Sequence, residues 1–166
     1  DEHGHQVGDE VLQHVSSLMQ KMSRKSDIVA RWGGEEFVVV SKERSPEAAQ
    51  RFAERIRKEI EQNPFKDADR DLELPLTVSV GGFVHDFRGE IVPDFEEALK
   101  GADMAMYEAK HRKRNAVGWS KYIDGEQQTW LLGDDKEPRS EPVPEPRGGG
   151  YVSGRRHMIN RAAHKL

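Results

Sequence analysis

Residues 31–40 read RWGGEEFVVV, two glycines and two adjacent glutamates set directly before an apolar run. The flanks decide the local fold. DIVARW (27–32) has the composition of a strand, Gly33-Gly34 of a turn and FVVVS (37–41) of a returning strand, which together make an antiparallel hairpin. Glycines permit positive φ and leave no Cβ between the backbone and an approaching phosphate. Glu35 and Glu36 offer the carboxylate oxygens that hard dications such as Mg²⁺ prefer. A metal held there could bridge a triphosphate and assist an attacking hydroxyl. A solvated acidic turn accounts for the same four residues, and the turn alone leaves both readings open.

Outward from the hairpin, the spacing predicts three helices. Apolar residues at 11, 12, 15, 18, 19 and 22 mark the first, with Asp9 as its expected N-cap. Ser45-Pro46-Glu47 supplies a cap, a first-turn proline and an early acid for the second, which runs to about Gln62 and buries Ala49, Phe52, Ala53, Ile56 and Ile60. Asp94 caps the third, residues 95–112, with Phe95, Leu99, Ala102, Met106 and Ala109 as its apolar face. Strands are predicted at 76–84 and 115–119. The order helix, strand, strand, helix, strand, helix, strand implies an α/β (α+β) fold, a mixed sheet with helices packed over it. It opens on a helix with no strand before it, so the first strand of such a sheet is missing from the pattern.

Composition narrows the function classes. The 166 residues carry 26 Lys+Arg against 30 Asp+Glu, a net charge of −4, which gives no bulk signal for nucleic acid. With no cysteines, disulfides and thiolate metal sites are excluded, which fits a reducing cytoplasm. No apolar run approaches the ~18 residues of a membrane span, and no signal peptide opens the chain. From about Tyr122 the character changes: four of the eight prolines fall within 138–146, Gly148-Gly149-Gly150 follow, and the end is basic. Residues 1–119 are read as one folded domain and 120–166 as a disordered tail.

Four further groups could carry chemistry. Arg24 and Asp27, in RKSD, pair a guanidinium fork with a carboxylate, fit for phosphate and a guanine edge or for a surface salt bridge. Arg51 and Arg55 are four apart on one helix face. Lys110, His111, Arg112, Lys113 and Arg114 form a cationic knot where the helix dipole already favours positive charge. Asp9, in HGHQVGDEVL, could cap a helix or face a base, while His3 and His5 are poorly spaced to share one metal.

Taken in order, these stretches resemble the GGDEF domain of diguanylate cyclases. GGEEF (33–37) is similar to the family's signature, GHQVGDEVL (4–12) to its GHxxGDxVL, VSVGG (78–82) to its SxG strand, and ADMAMYEAKHRKRNAV (102–117) to ADxAMYxAKxxGRN, with Lys113 in place of the usual Gly. The resemblance implies a cyclase- and polymerase-palm-like sheet with the hairpin at its edge. It implies condensation of two GTP into cyclic di-GMP and two pyrophosphates, by a homodimer of facing domains. By position, Glu35 and Glu36 become the catalytic Mg²⁺ ligands, with Mn²⁺ as an alternative ion. Asp9, Gly33, Gly34, Lys110 and Arg114 become substrate-binding residues. RxxD lies five residues before the signature, as in the family's product-inhibition site, so Arg24, Asp27 and Arg55 are expected to bind cyclic di-GMP.

The family also has a strand and helix ahead of this point that carry a metal-ligating Asp, a phosphate-binding Lys and a guanine-reading Asn. Asp1 takes the position after that Asn. The chain is therefore expected to be truncated, unstable and inactive by itself. The alternatives are a non-catalytic cyclic di-GMP receptor working through Arg24 and Asp27, and a linear or hybrid-dinucleotide nucleotidyltransferase.

Overall fold

The computed structural model describes residues 4–84, 94–123 and 126–132. Its elements are α1 (Gly4–Met22), β1 (Ile28–Gly33), β2 (Glu36–Val40), α2 (Pro46–Gln62), β3 (Phe65–Asp67), β4 (Leu72–Leu74), β5 (Val80–Phe83), α3 (Phe95–Arg112), β6 (Val117–Ile123) and β7 (Glu126–Leu131). The α/β expectation is borne out, with the sheet in three pieces. β1–β2 and β3–β4 are antiparallel hairpins, while β5, β6 and β7 form a sheet in which β5 and β6 run parallel.

Two of the three helix starts obey their caps. Ser45 accepts a 3.3 Å hydrogen bond from the Ala48 N–H, and Pro46 opens α2. Asp94 and Glu97 form a reciprocal capping box at α3, with bonds of 2.8 and 3.1 Å. The third expectation is corrected: α1 starts at Gly4, so Asp9 lies within the helix and caps nothing. Val7 is the reason. Its side chain is buried in the main core, which draws the extra turn in, while Gly8 costs only about 1 kcal/mol inside a helix.

That main core joins Val7, Val11, Val15 and Leu18 of α1 to Ile56 and Ile60 of α2 and to Phe37, Leu74, Leu76 and Val78. A smaller cluster of Ala53, Val117 and Trp119 closes the far side. On the opposite face of β5 and β6, where Gly81 and Gly118 lie, α3 rests directly on the sheet. A Cβ at Gly81 would sit 2.0 Å from the Ala102 carbonyl oxygen, so that position admits hydrogen alone. Phe95 departs from the expected apolar face and stays 51% exposed.

The strand expected at 76–84 is a ladder over Val80–Phe83 only. β6 begins opposite Val80, and Leu76 and Val78 are buried without belonging to a strand. β2 and β5 belong to different sheets, and both line an apolar cleft of about 280 Å³ with Phe52, Leu99, Met106 and Trp119.

Two hairpins were not read from the sequence. β3–β4 is short, and Arg70 in its loop ion-pairs with Glu10 of α1 at 2.5 Å and with Asp67. β7 corrects the expectation that no fold follows residue 119. It pairs with β6 through Trp119↔Trp130 and buries Leu131, so the folded body reaches Leu132. The rest of the expected tail lies outside the described residues. Among those described, no helix is long and apolar enough to cross a membrane.

Candidate active site

The β1–β2 ladder is regular from Ile28↔Val40 to Arg31↔Phe37, then breaks at Trp32 before Gly33 meets Glu36. The Arg31 Nε–H donates to the Gly34 carbonyl at 2.8 Å and closes the turn. Gly34 has φ +24°, where a side chain is strained. Glu36 folds back over Gly33: a Cβ at residue 33 would lie 3.3 Å from Glu36 Oε2. Glu36 is buried at 8% exposure and Glu35 is half-buried. A carboxylate withdrawn from water is expensive unless a cation or donors face it.

The donor chemistry fits Mg²⁺, which takes one or two protein carboxylates and completes its shell with phosphate oxygens and water. Glu35 and Glu36 would be those carboxylates. Among the described residues, no group of three or more His, Cys, Asp or Glu could hold an ion without such help.

Trp32 leaves the ladder at the break and packs edge-on against Phe95, the first residue of α3, with ring centroids 5.9 Å apart. Lys110 is fifteen residues further along that helix, roughly 22 Å at 1.5 Å per residue. Trp32 thus ties the acidic turn to one end of α3, while half-buried Lys110 and exposed Arg114 occupy the other end.

Arg114 and Asn115 leave α3 with φ of +48° and +42°, although neither is glycine. Lys113, at the family's glycine position, has φ −141° and needs no such freedom. Sequence reasoning missed what holds this corner. Arg57 of α2 donates Nε–H and Nη2–H to the two Glu54 carboxylate oxygens at 3.0 and 2.9 Å, and Nη1–H to Glu61 at 2.9 Å and to Asn115 Oδ1 at 2.8 Å. The Asn115 amide donates back to Glu61 at 2.6 Å. Glu54 and then Glu61 hold the Arg57 guanidinium above its ordinary range. Arg57 keeps both carboxyls below theirs, with Asn115 adding to the effect on Glu61. The i, i+3 and i, i+4 spacing of Glu54, Arg57 and Glu61 was the available signal.

The three residues assigned to product binding gather near the end of α1. The Asp27 carboxylate accepts the Arg24 backbone N–H at 2.7 Å, and Arg24 Nη1–H and Nη2–H donate to the Lys42 carbonyl and to Glu43, both at 3.2 Å. Arg55 donates to the Met22 carbonyl at 3.2 Å and lies 5.2 Å from the Phe52 ring centroid. Asp9 is exposed on α1, and His3 lies outside the described residues.

A GGEE turn, an RxxD corner and a cationic helix end, in this order on an α/β scaffold, agree with a match of residues 1–116 to the family described as "Diguanylate cyclase, GGDEF domain". The chain belongs to the GGDEF family. Among curated relatives, Diguanylate cyclase DosC of Escherichia coli K12 is 41% identical over 117 residues, which are 70% of this chain and 24% of DosC. The chain thus spans about a quarter of that relative's length. Among solved structures, the GGDEF domain of DgcB from Caulobacter crescentus, in complex with c-di-GMP, superposes with a TM-score of 0.61 at 29% identity, over 69% of this chain and 65% of that one. The active GGEEF domain of a diguanylate cyclase from Vibrio cholerae, with the same third-position glutamate, gives 0.55 at 27% identity over 75% and 74%.

Proposed function

We propose that this GGDEF domain serves a diguanylate cyclase that condenses two GTP into cyclic di-GMP. The observation that carries this reading is the turn itself, where Glu36 is buried against Gly33 and Glu35 stands beside it inside a 1–116 family match. The 3′-hydroxyl of one GTP attacks the α-phosphate of the other. A P–O bond forms, the bond to the β-phosphate breaks, and pyrophosphate leaves. Repetition with the roles exchanged closes the ring, which requires two domains face to face, each holding one GTP.

Bound Mg²⁺, or Mn²⁺, would supply charge neutralisation of the phosphates and acidify the attacking hydroxyl. Glu35 and Glu36 would hold it, and Glu35 would accept the hydroxyl proton. Gly33 and Gly34 give the phosphates backbone access and Asp9 on α1 contacts guanine, while Lys110 and Arg114, at the end of α3 away from the Trp32 contact, extend their long side chains back to neutralise the triphosphate.

Product inhibition through Arg24, Asp27 and Arg55 belongs to the same reading. Its support is their convergence near Met22 and the cyclic di-GMP held by the DgcB domain. Turnover is expected to be low, because β2 and β5 lie in separate sheets beside an apolar cleft.

The test is chromatographic product analysis with Mg²⁺ and GTP, then with GTP plus ATP, in the protein and in Arg24→Ala. Cyclic di-GMP and pyrophosphate as products, with inhibition relieved in the variant, are expected. A linear or mixed dinucleotide would replace this reading, and undiminished inhibition in Arg24→Ala would remove the assignment of the RxxD corner.

A further inference from the structure

The corner after α3 needs an external hold. Two consecutive residues other than glycine, Arg114 and Asn115, have positive φ, and their local support is the pair of bonds from the Lys113 and Arg114 N–H groups to the Ala109 carbonyl, at 3.3 and 2.8 Å. Left-handed backbone at such residues persists when the surroundings over-determine it. Here the hold comes from α2. Arg57, whose side chain is 11% exposed, spends two donors on Glu54 and shares Nη1 between Glu61 and Asn115, which bond each other in turn. The bonds to Glu54 and Glu61 are internal to α2 and complete without Asn115. The bond to Asn115 spans 58 residues and ties α2 to the residue adjoining Arg114.

We propose that Arg57 is a positioning residue for the nucleotide: through Asn115 it fixes the left-handed backbone from which Arg114 engages the triphosphate. A guanidinium fork is suited to this because one planar group satisfies several acceptors in fixed directions, which a lysine ammonium cannot reproduce. The proposal rests on the reading of Arg114 as a triphosphate ligand.

The experiment measures equilibrium affinity for GTP and for guanosine in the full chain, in Arg57→Lys, Asn115→Gly and Arg114→Ala, and in the double variant Arg57→Lys/Arg114→Ala. Asn115→Gly keeps the backbone conformation accessible while removing the side chain, so it reports on positioning even if Arg57→Lys folds poorly. Arg57→Lys and Asn115→Gly should each lose about tenfold in GTP affinity, the worth of one charge-assisted hydrogen bond. Guanosine affinity should stay unchanged, and Arg57→Lys should cost nothing further once Arg114 is alanine. Equal losses for GTP and guanosine, fully additive losses, or unchanged GTP affinity beside a loss in Arg114→Ala would overturn the positioning role. If the unaltered protein binds no GTP, or Arg114→Ala binds it normally, the underlying assignment of Arg114 fails instead.

Discussion

The acidic hairpin and the α3–β5–β6–β7 body carry the two halves of the proposed GTP site and are held in different ways. α3 rests on β5 closely enough that Gly81 has no room for a methyl group, and its far end is tied to α2 by the Arg57 fork. The hairpin contributes Phe37 to the core, but its tip is steadied by an exposed aromatic pair, Trp32 and Phe95, and Ile28 and Val40 at its open end are exposed. The proposed cationic half is packed on the sheet and tied to α2, whereas the tip of the proposed metal-binding half rests on one exposed aromatic pair.

Breaking the tight side should cost most. Gly81→Ala drives a methyl into the Ala102 carbonyl, and overpacking on that scale is expected to destabilise by about 3 kcal/mol, read from urea unfolding at unchanged slope. A loss below ~1 kcal/mol would mean that α3 shifts freely over the sheet. On the loose side, Trp32→Ala removes one edge-to-face pair and should cost only about 1 kcal/mol. Its clearer effect should be faster amide exchange confined to residues 28–40, and faster exchange across α3 would contradict the contrast.

Acid should produce the smallest effect. Glu54 and Glu61 titrate below their ordinary value of 4.5 in the folded protein, so their contribution is present above that pH and lost as pH falls through the lowered values. Glu61 is exposed and Glu54 is half-buried at the surface of α2, and solvent screening keeps the contribution under ~1 kcal/mol. The melting temperature should therefore fall slightly more steeply below pH 4.5 in the unaltered protein than in Glu61→Gln. Parallel curves would remove the pH role of this carboxylate.

Much of this contrast was legible in the residues. Ser45-Pro46 and Asp94 announced α2 and α3 because capping is local chemistry, and Gly33-Gly34 between two apolar runs announced the hairpin. What escaped depends on distant partners. Asp9 looked like a cap until burial of Val7 carried α1 back to Gly4. β3 and β4 are three residues each, too short for a periodicity to register. β7 is EQQTWL, polar over most of its length, and its strand character comes from pairing with β6. The Arg57–Asn115 bond joins positions with no sequence signal in common. The GGEE turn, the RxxD corner and the cationic end of α3 were readable as motifs by type and order. That Trp32 ties the acidic turn to the opposite end of α3 from Lys110 was not.

On the proposed reading, Glu35 and Glu36 make the hairpin a metal-dependent nucleotide site. GTP affinity measured by calorimetry across a Mg²⁺ titration, in the unaltered protein and in Glu35→Ala and Glu36→Ala, tests it directly. Affinity should rise with Mg²⁺ in the unaltered protein and each variant should lose most of that rise; the same Mg²⁺ dependence in all three would contradict a metal site at the hairpin.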